Sequence, residues 1–255
     1  TFNVDDVGYA SAAAAGLTGQ TSPATLTAAS IGTKQGFSII RWNRGADHPS
    51  WSTGVIPHGL TQAPDMIITK NLGSGHGWMV FHSGKGTGRL YLNSDGVGDG
   101  SGYTTLPTAT HFTIDNTSDA DSSDDCISYC WHNVPGLQKF GSYIGNGSAD
   151  GPFVELGFRP ALIIIKDKSS TWSWYMIDNQ RSPYNVTSKT LKANEAYAED
   201  TSTTYNCFDF LSNGFKVRAA PSNSEPTNDS GDVYVYAAWA HQPMNNLYGG
   251  QSNAR

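Results

Sequence analysis

The chain contains two copies of one sequence unit, and this internal repeat constrains the fold more than any other feature. Residues 60–70 read LTQAPDMIITK, and residues 156–166 read LGFRPALIIIK. A proline, a lysine and a tryptophan recur at a separation of 96 residues, at Pro64 and Pro160, Lys70 and Lys166, and Trp78 and Trp174. Three landmarks with one spacing indicate a duplicated structural unit. We therefore expect these pairs to occupy equivalent positions, with both tryptophans largely buried.

Further landmarks extend the repeat over most of the chain. FSII at residues 37–40 corresponds to GSYI at residues 141–144 with a shift of 104 residues. Three more pairs have shifts of 107 to 108 residues, namely Asp125 with Asp232, Tyr129 with Tyr236, and Trp131 with Trp239. The shift changes across loops rich in Gly, Ser, Asn and Asp, where changes of length are tolerated. Copy one is predicted to span residues 36–135, and copy two residues 136–255.

Each copy consists of short apolar or alternating segments separated by turn residues, a pattern typical of β-strands. Clear examples are DMIITK and DCISYCW in copy one, and ALIIIK and DVYVYAAWAH in copy two. The 28 glycines and 12 prolines suit the tight turns of antiparallel sheets. We predict an all-β protein with two homologous, antiparallel β-sandwich-like units in tandem. The one candidate helix, a short surface helix, covers residues 189–199.

The first 35 residues differ from the rest in composition. They are mostly small and polar, and they supply few large apolar side chains. We expect residues 1–35 to form an extended N-terminal arm or linker that packs against a neighbouring subunit or a preceding domain more than against its own β units.

Charge and cysteine content narrow the classes of partner and environment. The 16 basic and 22 acidic residues leave a net charge of −6, which argues against nucleic acid or an anionic membrane as the main partner. The longest apolar run, residues 161–165, is far shorter than the roughly 20 residues that cross a bilayer.

Cys126 and Cys130 lie in a predicted strand, roughly 13 Å apart, too far for a disulfide. With Cys207, they are predicted to be reduced core residues.

Catalytic signatures are weak in this sequence. It lacks Gly-x-Ser-x-Gly, His-Glu-x-x-His and P-loop motifs. His132 and His241 follow the repeated tryptophans, which favours a shared structural role over catalysis. The aspartate-rich segment 115–125 lacks the glycine and final glutamate of an EF-hand, so a solvated turn is favoured and Ca²⁺ binding stays open. We predict a non-enzymatic protein with no cofactor.

Aromatic residues near predicted loops are the best candidates for ligand contact. Such rings stack on sugars or pack against protein partners. Burial in the core or at a subunit contact is the favoured interpretation of these rings, and ligand contact is the alternative. The candidates are Trp42, Trp51, Trp172, Tyr184 and Tyr197.

The segment from Tyr129 to Lys166 resembles a family of virion proteins of tailed bacteriophages, especially phages of aquatic bacteria. The matching residues are Cys130, Trp131, His132, Lys139, Phe140, Gly141, Tyr143, Gly145 to Ser148, Asp150, Gly151, Gly157, Phe158, Pro160 and Ala161. The ending is also similar, with an Ala-x-Ala-x-x-Pro stretch at Ala238 to Pro243 and a short Asn-rich tail. PHGLTQAPD at residues 57–65 looks like a strand entry common in tail-fibre sequences. The resemblance covers residues 36–255.

The resemblance implies a structural protein of the phage particle, assembled in the bacterial cytoplasm and present here as the C-terminal portion of a longer chain. A tail fibre or another host-contacting appendage that acts by multivalent binding is favoured. A capsid decoration protein and a carbohydrate-binding module are the alternatives. The expected partners are other virion proteins, further copies of the chain and a host-surface glycan.

Overall fold

The chain forms two compact β units in the computed structural model, which describes residues 8–9, 25–43, 53–73, 75–115, 118–120, 124–201, 207–218 and 227–243. Unit 1 comprises residues 1–92 and 98–132, and unit 2 comprises residues 93–97 and 133–255. Within the described ranges the protein is all-β, as the sequence predicted, and its one helical element is a single 3₁₀ turn. No described helix is long and apolar enough to span a membrane.

Unit 1 contains two antiparallel sheets. Its elements are β1 (Gly8–Tyr9), β2 (Thr25–Gly32), β3 (Phe37–Asn43), β4 (Thr53–Pro57), β5 (Met66–Asn71), β6 (Trp78–His82), β7 (Gly86–Tyr91), β8 (His111–Asp115), the 3₁₀ helix η1 (Ser118–Ala120) and β9 (Asp125–Trp131). The larger sheet has the order β1-β2-β3-β9-β5-β6-β7, and β4 pairs with β8 in the smaller one. Both sheets contribute to one apolar core, for example through Trp42 and Phe81 from the larger and Ile56 and Phe112 from the smaller.

Unit 2 has the same sandwich-type arrangement. Its strands are β10 (Gln138–Ile144), β11 (Phe153–Glu155), β12 (Pro160–Asp167), β13 (Tyr175–Asp178), β14 (Thr190–Lys192), β15 (Phe208–Leu211), β16 (Gly214–Val217) and β17 (Val233–Ala240). The larger sheet has the order β10-β17-β12-β13-β14, and the smaller sheet the order β11-β16-β15. Ile163 and Tyr236 from the larger sheet and Phe210 and Phe215 from the smaller share one core.

The two units repeat one topology. The order β3-β9-β5-β6-β7 in unit 1 corresponds strand by strand to β10-β17-β12-β13-β14 in unit 2. The register agrees as well, because Met66 faces Trp131 in unit 1 and Leu162 faces Trp239 in unit 2. These pairings reproduce the sequence offsets of 96 residues for β5 and β12 and 108 for Trp131 and Trp239.

Three of the proposed correspondences are wrong in register. Phe37 faces Trp131, and the residue that faces Trp239 is Gln138, so the shift between β3 and β10 is 101 residues and not 104. The shift between β9 and β17 is 108 residues, which aligns Ser128 with Tyr236 and Asp125 with Val233, so Tyr129 does not correspond to Tyr236, nor Asp125 to Asp232. A slip of one residue moves a side chain to the opposite face of a sheet. The sequence comparison matched residue types alone, and β17 carries aromatics on both faces, at Tyr236 and Trp239.

The prediction that residues 1–35 form an arm that packs mainly against a neighbour is wrong for β2. This strand pairs antiparallel with β3, and its Leu26 and Ala29 belong to the core of unit 1. The small side chains of TLTAASIG give this strand a weak apolar signal in the sequence. The predicted helix at residues 189–199 is also wrong. Residues 190–192 form β14, which pairs with β13, so tertiary pairing overrides a weak helical pattern.

The repeated tryptophans have different environments. Trp174 is 1% exposed, as predicted, whereas Trp78 is 38% exposed, so the expectation of burial is wrong for Trp78. Cys126, Cys130 and Cys207 are buried free thiols, in agreement with the sequence reading. Burial raises the pKa of the Cys130 thiol, which keeps it protonated and unreactive.

Replacing Trp174 by Ala is expected to lower the free energy of unfolding by roughly 3 to 5 kcal/mol, because a fully buried ring is lost from the core. Trp78→Ala is the matched control and should cost less than half as much, since its ring is partly solvated. Urea titration of both variants measures the difference. Equal losses in the free energy of unfolding would contradict the expectation that the more exposed ring of Trp78 contributes less to stability.

Candidate functional site

Unit 2 contains a small polar cleft beside the hairpin of β12 and β13. Its volume is about 180 Å³, below the roughly 300 Å³ at which pockets for drug-sized ligands begin, so it has room for about one small ring. The residues that line it combine two aromatic rings with charged and hydroxyl groups. They are Asp95, Thr171, Trp172, Ser173, Tyr175, Lys192 and Glu195.

The buried end of β12 fixes the loop that carries Trp172. Lys166 is fully buried, and its Nζ donates hydrogen bonds to the carbonyl oxygens of Asp167 at 2.6 Å and Ser170 at 3.4 Å. Asp167 Oδ1 accepts the backbone N–H groups of Ser169 and Ser170 at 2.6 and 3.1 Å. These bonds close the loop as an aspartate turn. The lysine that marks the repeat is therefore a structural residue, and Lys70 Nζ likewise donates to the Asn71 carbonyl in unit 1.

The aromatic part of the cleft is anchored in the core of unit 2. Trp172 is partly buried and packs against the core cluster, while Tyr175 at the start of β13 is 1% exposed. Because the core holds one side of the Trp172 side chain, little rotamer freedom remains to be lost when a ligand contacts the exposed part. The indole is thus a rigid contact surface in the cleft.

Ser173, Lys192 and Glu195 form the polar side of the cleft, here called the polar wall. Contacts among these residues hold them in place. Glu195 accepts a hydrogen bond from Ser173 Oγ, and its other oxygen lies 3.8 Å from Lys192 Nζ. Asn194 ties this turn to β13 because its Oδ1 accepts the Trp174 N–H at 2.8 Å. Carboxylate, ammonium and hydroxyl groups that are already oriented can bind a polar ligand with little further ordering.

Tyr197 lies next to this wall. Lys192 Nζ lies 4.6 Å from the centre of the Tyr197 ring, within range of a cation–π contact. The tyrosine is 69% exposed, so its ring is accessible from solvent. Lys192 therefore both lines the cleft and contacts a second, solvent-accessible aromatic ring.

The corresponding place in unit 1 has different contacts. The correspondence follows from the backbone, since Leu92 N–H donates to the Trp78 carbonyl and Ala193 N–H to the Trp174 carbonyl, both at 2.9 Å. Asp119 of η1 accepts the Gly77 N–H at 3.2 Å, just before Trp78, whereas Ser173 before Trp174 binds Glu195.

Asp119 is fully engaged inside unit 1. Arg89 Nη1 and the Tyr91 hydroxyl each lie 2.7 Å from its Oδ2. A carboxylate from η1 is thus buried and bonded at this place in unit 1.

Two ionisable side chains at the end of β12, Asp167 and Lys166, have shifted pKa values. Burial raises the pKa of the Asp167 carboxyl to about 6, and the nearby Asp232 carboxylate acts in the same direction. Burial lowers the pKa of Lys166 to about 8, although Asp167 and Asp95 partly oppose this shift. The buried lysine and aspartate are therefore each less ionised near neutral pH than in water.

Only part of the predicted ligand-binding set meets at this site. Trp172 lines the cleft and Tyr197 contacts the cleft residue Lys192, while Tyr184 is 84% exposed but does not line the cleft. The prediction is wrong for Trp42, which is fully buried in β3 and donates from Nε1 to Ser128 Oγ at 2.9 Å. Trp51 lies outside the described residues.

Sequence reasoning missed the polar members of the cleft, which are Asp95, Thr171, Ser173, Lys192 and Glu195. Lys192 and Glu195 lie within residues 189–199, the segment that the sequence predicts to be a helix. The aspartate-rich segment is used internally where the structure describes it, since Asp119 binds Arg89 and Asp125 binds Arg41 and Asn43. Among the described residues, no group of three His, Cys, Asp or Glu side chains is placed to hold a metal ion.

A family model described as a domain of unknown function (DUF7483) matches residues 7–243. The chain belongs to this family. The match spans both β units of the chain. No curated protein and no solved structure matched the chain.

Asp167→Asn should change how stability depends on pH. Asn71 occupies the corresponding position in unit 1, where its Oδ1 accepts the Gly73 N–H at 2.8 Å, so the amide can replace the carboxylate. Because the folded-state pKa of Asp167 is raised from 3.8 to about 6, its contribution to the free energy of unfolding is full below pH 4 and is lost as the pH rises to 6. Relative to wild type, the variant should gain about 2 to 3 kcal/mol between pH 4 and 7.

Denaturant titration across this pH range measures the gain. Asp150→Asn is the control. Lys216 lowers the pKa of the Asp150 carboxyl, so the stability that this carboxylate contributes is lost only below its unfolded pKa of 3.8, and the difference from wild type should stay nearly constant from pH 4 to 7. A constant difference between Asp167→Asn and wild type would contradict the raised pKa.

Proposed function

We propose that this chain is a non-enzymatic structural component of a tailed-bacteriophage particle, located in a tail fibre or another host-contacting appendage, and that its unit 2 cleft binds a host-surface glycan. The virion assignment is supported by the sequence resemblance over residues 36–255, which includes the repeated landmarks of both β units. The binding assignment is supported by the chemistry of the cleft.

One observation carries the glycan proposal, namely that the cleft combines oriented carboxylate, ammonium and hydroxyl groups with an aromatic side chain, Trp172, that is anchored in the core. Sugar rings bind in this way because their C–H faces pack on an aromatic ring while their hydroxyls bond to carboxylates, amines and hydroxyls. Lys192 is outnumbered by Glu195 and Asp95 in the lining, so the cleft disfavours a polyanionic sugar. A neutral hexose or N-acetylhexosamine at a chain end fits this balance and the volume of the cleft.

Weak individual sites are compatible with strong attachment of a particle. A cleft that holds one sugar ring buries little surface, so its own affinity is expected to be low. Repeated copies on one appendage can raise the overall affinity by about 10²- to 10⁴-fold without new contacts. The proposal therefore requires several copies per particle.

The glycan proposal is tested by titrating the purified chain with polysaccharide from host cells and with its component sugars. Trp172→Ala should weaken binding at least tenfold, about 1.4 kcal/mol, because the stacking surface is removed. Tyr184→Ala is the matched control, since this exposed aromatic does not line the cleft. Equal affinities for wild type and Trp172→Ala would contradict the cleft as the binding site, and release of sugar fragments would contradict the non-enzymatic assignment.

The location is tested separately by labelling intact particles with an antibody against this chain. We expect the label on the tail, and we expect purified protein to compete with phage for adsorption to host cells. Label on the head, with no competition and reduced particle stability when the protein is missing, would assign the chain to capsid decoration instead.

A further inference from the structure

His58 directly follows β4 and is fully buried in unit 1. Its backbone N–H donates to the Thr110 carbonyl at 3.4 Å, and its carbonyl accepts the hydroxyl of Ser38, in β3, at 2.7 Å. Two residues further on, Leu60 belongs to the core of the unit. The turn formed by residues 58–60 therefore links the smaller sheet of unit 1 to its larger sheet.

The partners of the two ring nitrogens fix the protonation state of His58. Nδ1 accepts the Leu60 N–H at 3.1 Å, so this nitrogen carries no proton. Nε2 lies 3.1 Å from the Thr108 carbonyl oxygen, which can only accept, so Nε2 carries the proton. Both bonds together require the neutral Nε2–H tautomer. In an imidazolium, a second ring N–H would point at the Leu60 N–H, and two buried donors would face each other without an acceptor.

The groups around the ring also disfavour an imidazolium. Burial lowers the pKa of His58 from 6.5 to about 4, and the nearby rings of His111 and His132 act in the same direction, while the bond to Thr108 partly opposes the shift. The Cys130 thiol, which is bonded to Ser38, stays neutral because burial raises its pKa. The other titratable or charged side chains that the structure describes at this end of unit 1 are Lys34, Asp65, His82 and Lys85.

The turn at residues 58–60 is tightly packed against its neighbours. Gly59 has a φ of +71°, and a Cβ at this position would collide with the side chain of Ile31 in β2. Leu60 is 5% exposed. The turn therefore has little room to rearrange around a protonated ring while it stays in place, so loss of the bond to Leu60 must move the turn away from β2 and the core.

We propose that His58 is an acid-sensitive lock on unit 1, in which protonation of Nδ1 breaks its bond to Leu60 and releases the turn at residues 58–60 from the core, whereas the neutral ring holds the turn closed. Because the pKa of His58 is lower in the folded chain than in the unfolded chain, the stability that it contributes is full above pH 6.5 and is lost as the pH falls to about 4. The lock uses neither the cleft nor the virion assignment, so it stands independently of the proposed function.

The first test is urea titration of the full chain between pH 7 and pH 4. In His58→Asn the side-chain oxygen can still accept the Leu60 N–H, and the amide does not titrate in this range. Relative to this variant, the equilibrium constant for unfolding of wild type should rise about a hundredfold as the pH falls from 7 to 4. Ser38→Ala is the matched control, because it removes a bond to the His58 carbonyl but leaves the ring, so its ratio to wild type should stay constant.

The second test needs no variant, since nitrogen-15 NMR of the full chain shows which ring nitrogens carry protons. His58 should be the neutral Nε2–H tautomer from pH 8 to pH 5, with slow exchange of the Leu60 amide. Protonation of the ring and fast exchange of this amide should then appear together near pH 4. An Nδ1–H tautomer, titration of His58 near 6.5, a Leu60 amide that stays protected beside a protonated ring, or a constant ratio between wild type and His58→Asn would each overturn the proposal.

Discussion

The antiparallel pairing at the centre of each larger sheet sets the position of everything else in the unit. β17 lies between β10 and β12, as β9 lies between β3 and β5, and the two central strands share one register. This register directs Tyr234, Tyr236 and Ala238 into the core of unit 2. Because the side-chain period of a strand is two, a slip of one residue would turn these groups to the opposite face of the sheet, where Val235 and Ala237 are buried. The hairpin of β12 and β13, and with it the cleft, depends on this constraint.

Buried polar groups at the ends of the central strands hold the loops that differ between the units. The repeated lysine donates to loop carbonyls in both, and the next residue, Asn71 or Asp167, accepts loop N–H groups. Buried polar groups of this kind are costly unless they are bonded, so they favour one loop conformation over others. The same scaffold can therefore present Asp119 inward in unit 1 and an open cleft at Trp172 in unit 2.

The two copies differ in the elements around a shared set of central strands. In unit 1, β2 pairs with the outer side of β3, and Asp119 of η1 accepts the Gly77 N–H just before Trp78. In unit 2, Ser173 just before Trp174 binds Glu195 instead, and both residues line the cleft. The proposed ligand site therefore arises from loops and edge strands, where the copies differ, and not from the central strands, which they share.

The sequence alone determined the all-β class, the duplication and the offset of 96 residues between β5 and β12, because strand alternation and spacing are local properties. It also identified Trp172 and Tyr197 as ligand candidates. It did not reveal the polar wall, since Ser173, Lys192 and Glu195 come together only when β14 pairs with β13. It did not reveal that Trp42 is buried whereas Trp78 is partly exposed, because this depends on which neighbours cover each face of the sheet. The pairing of β2 with β3 was missed for the same kind of reason. These are contacts between distant segments, and only the tertiary structure decides them.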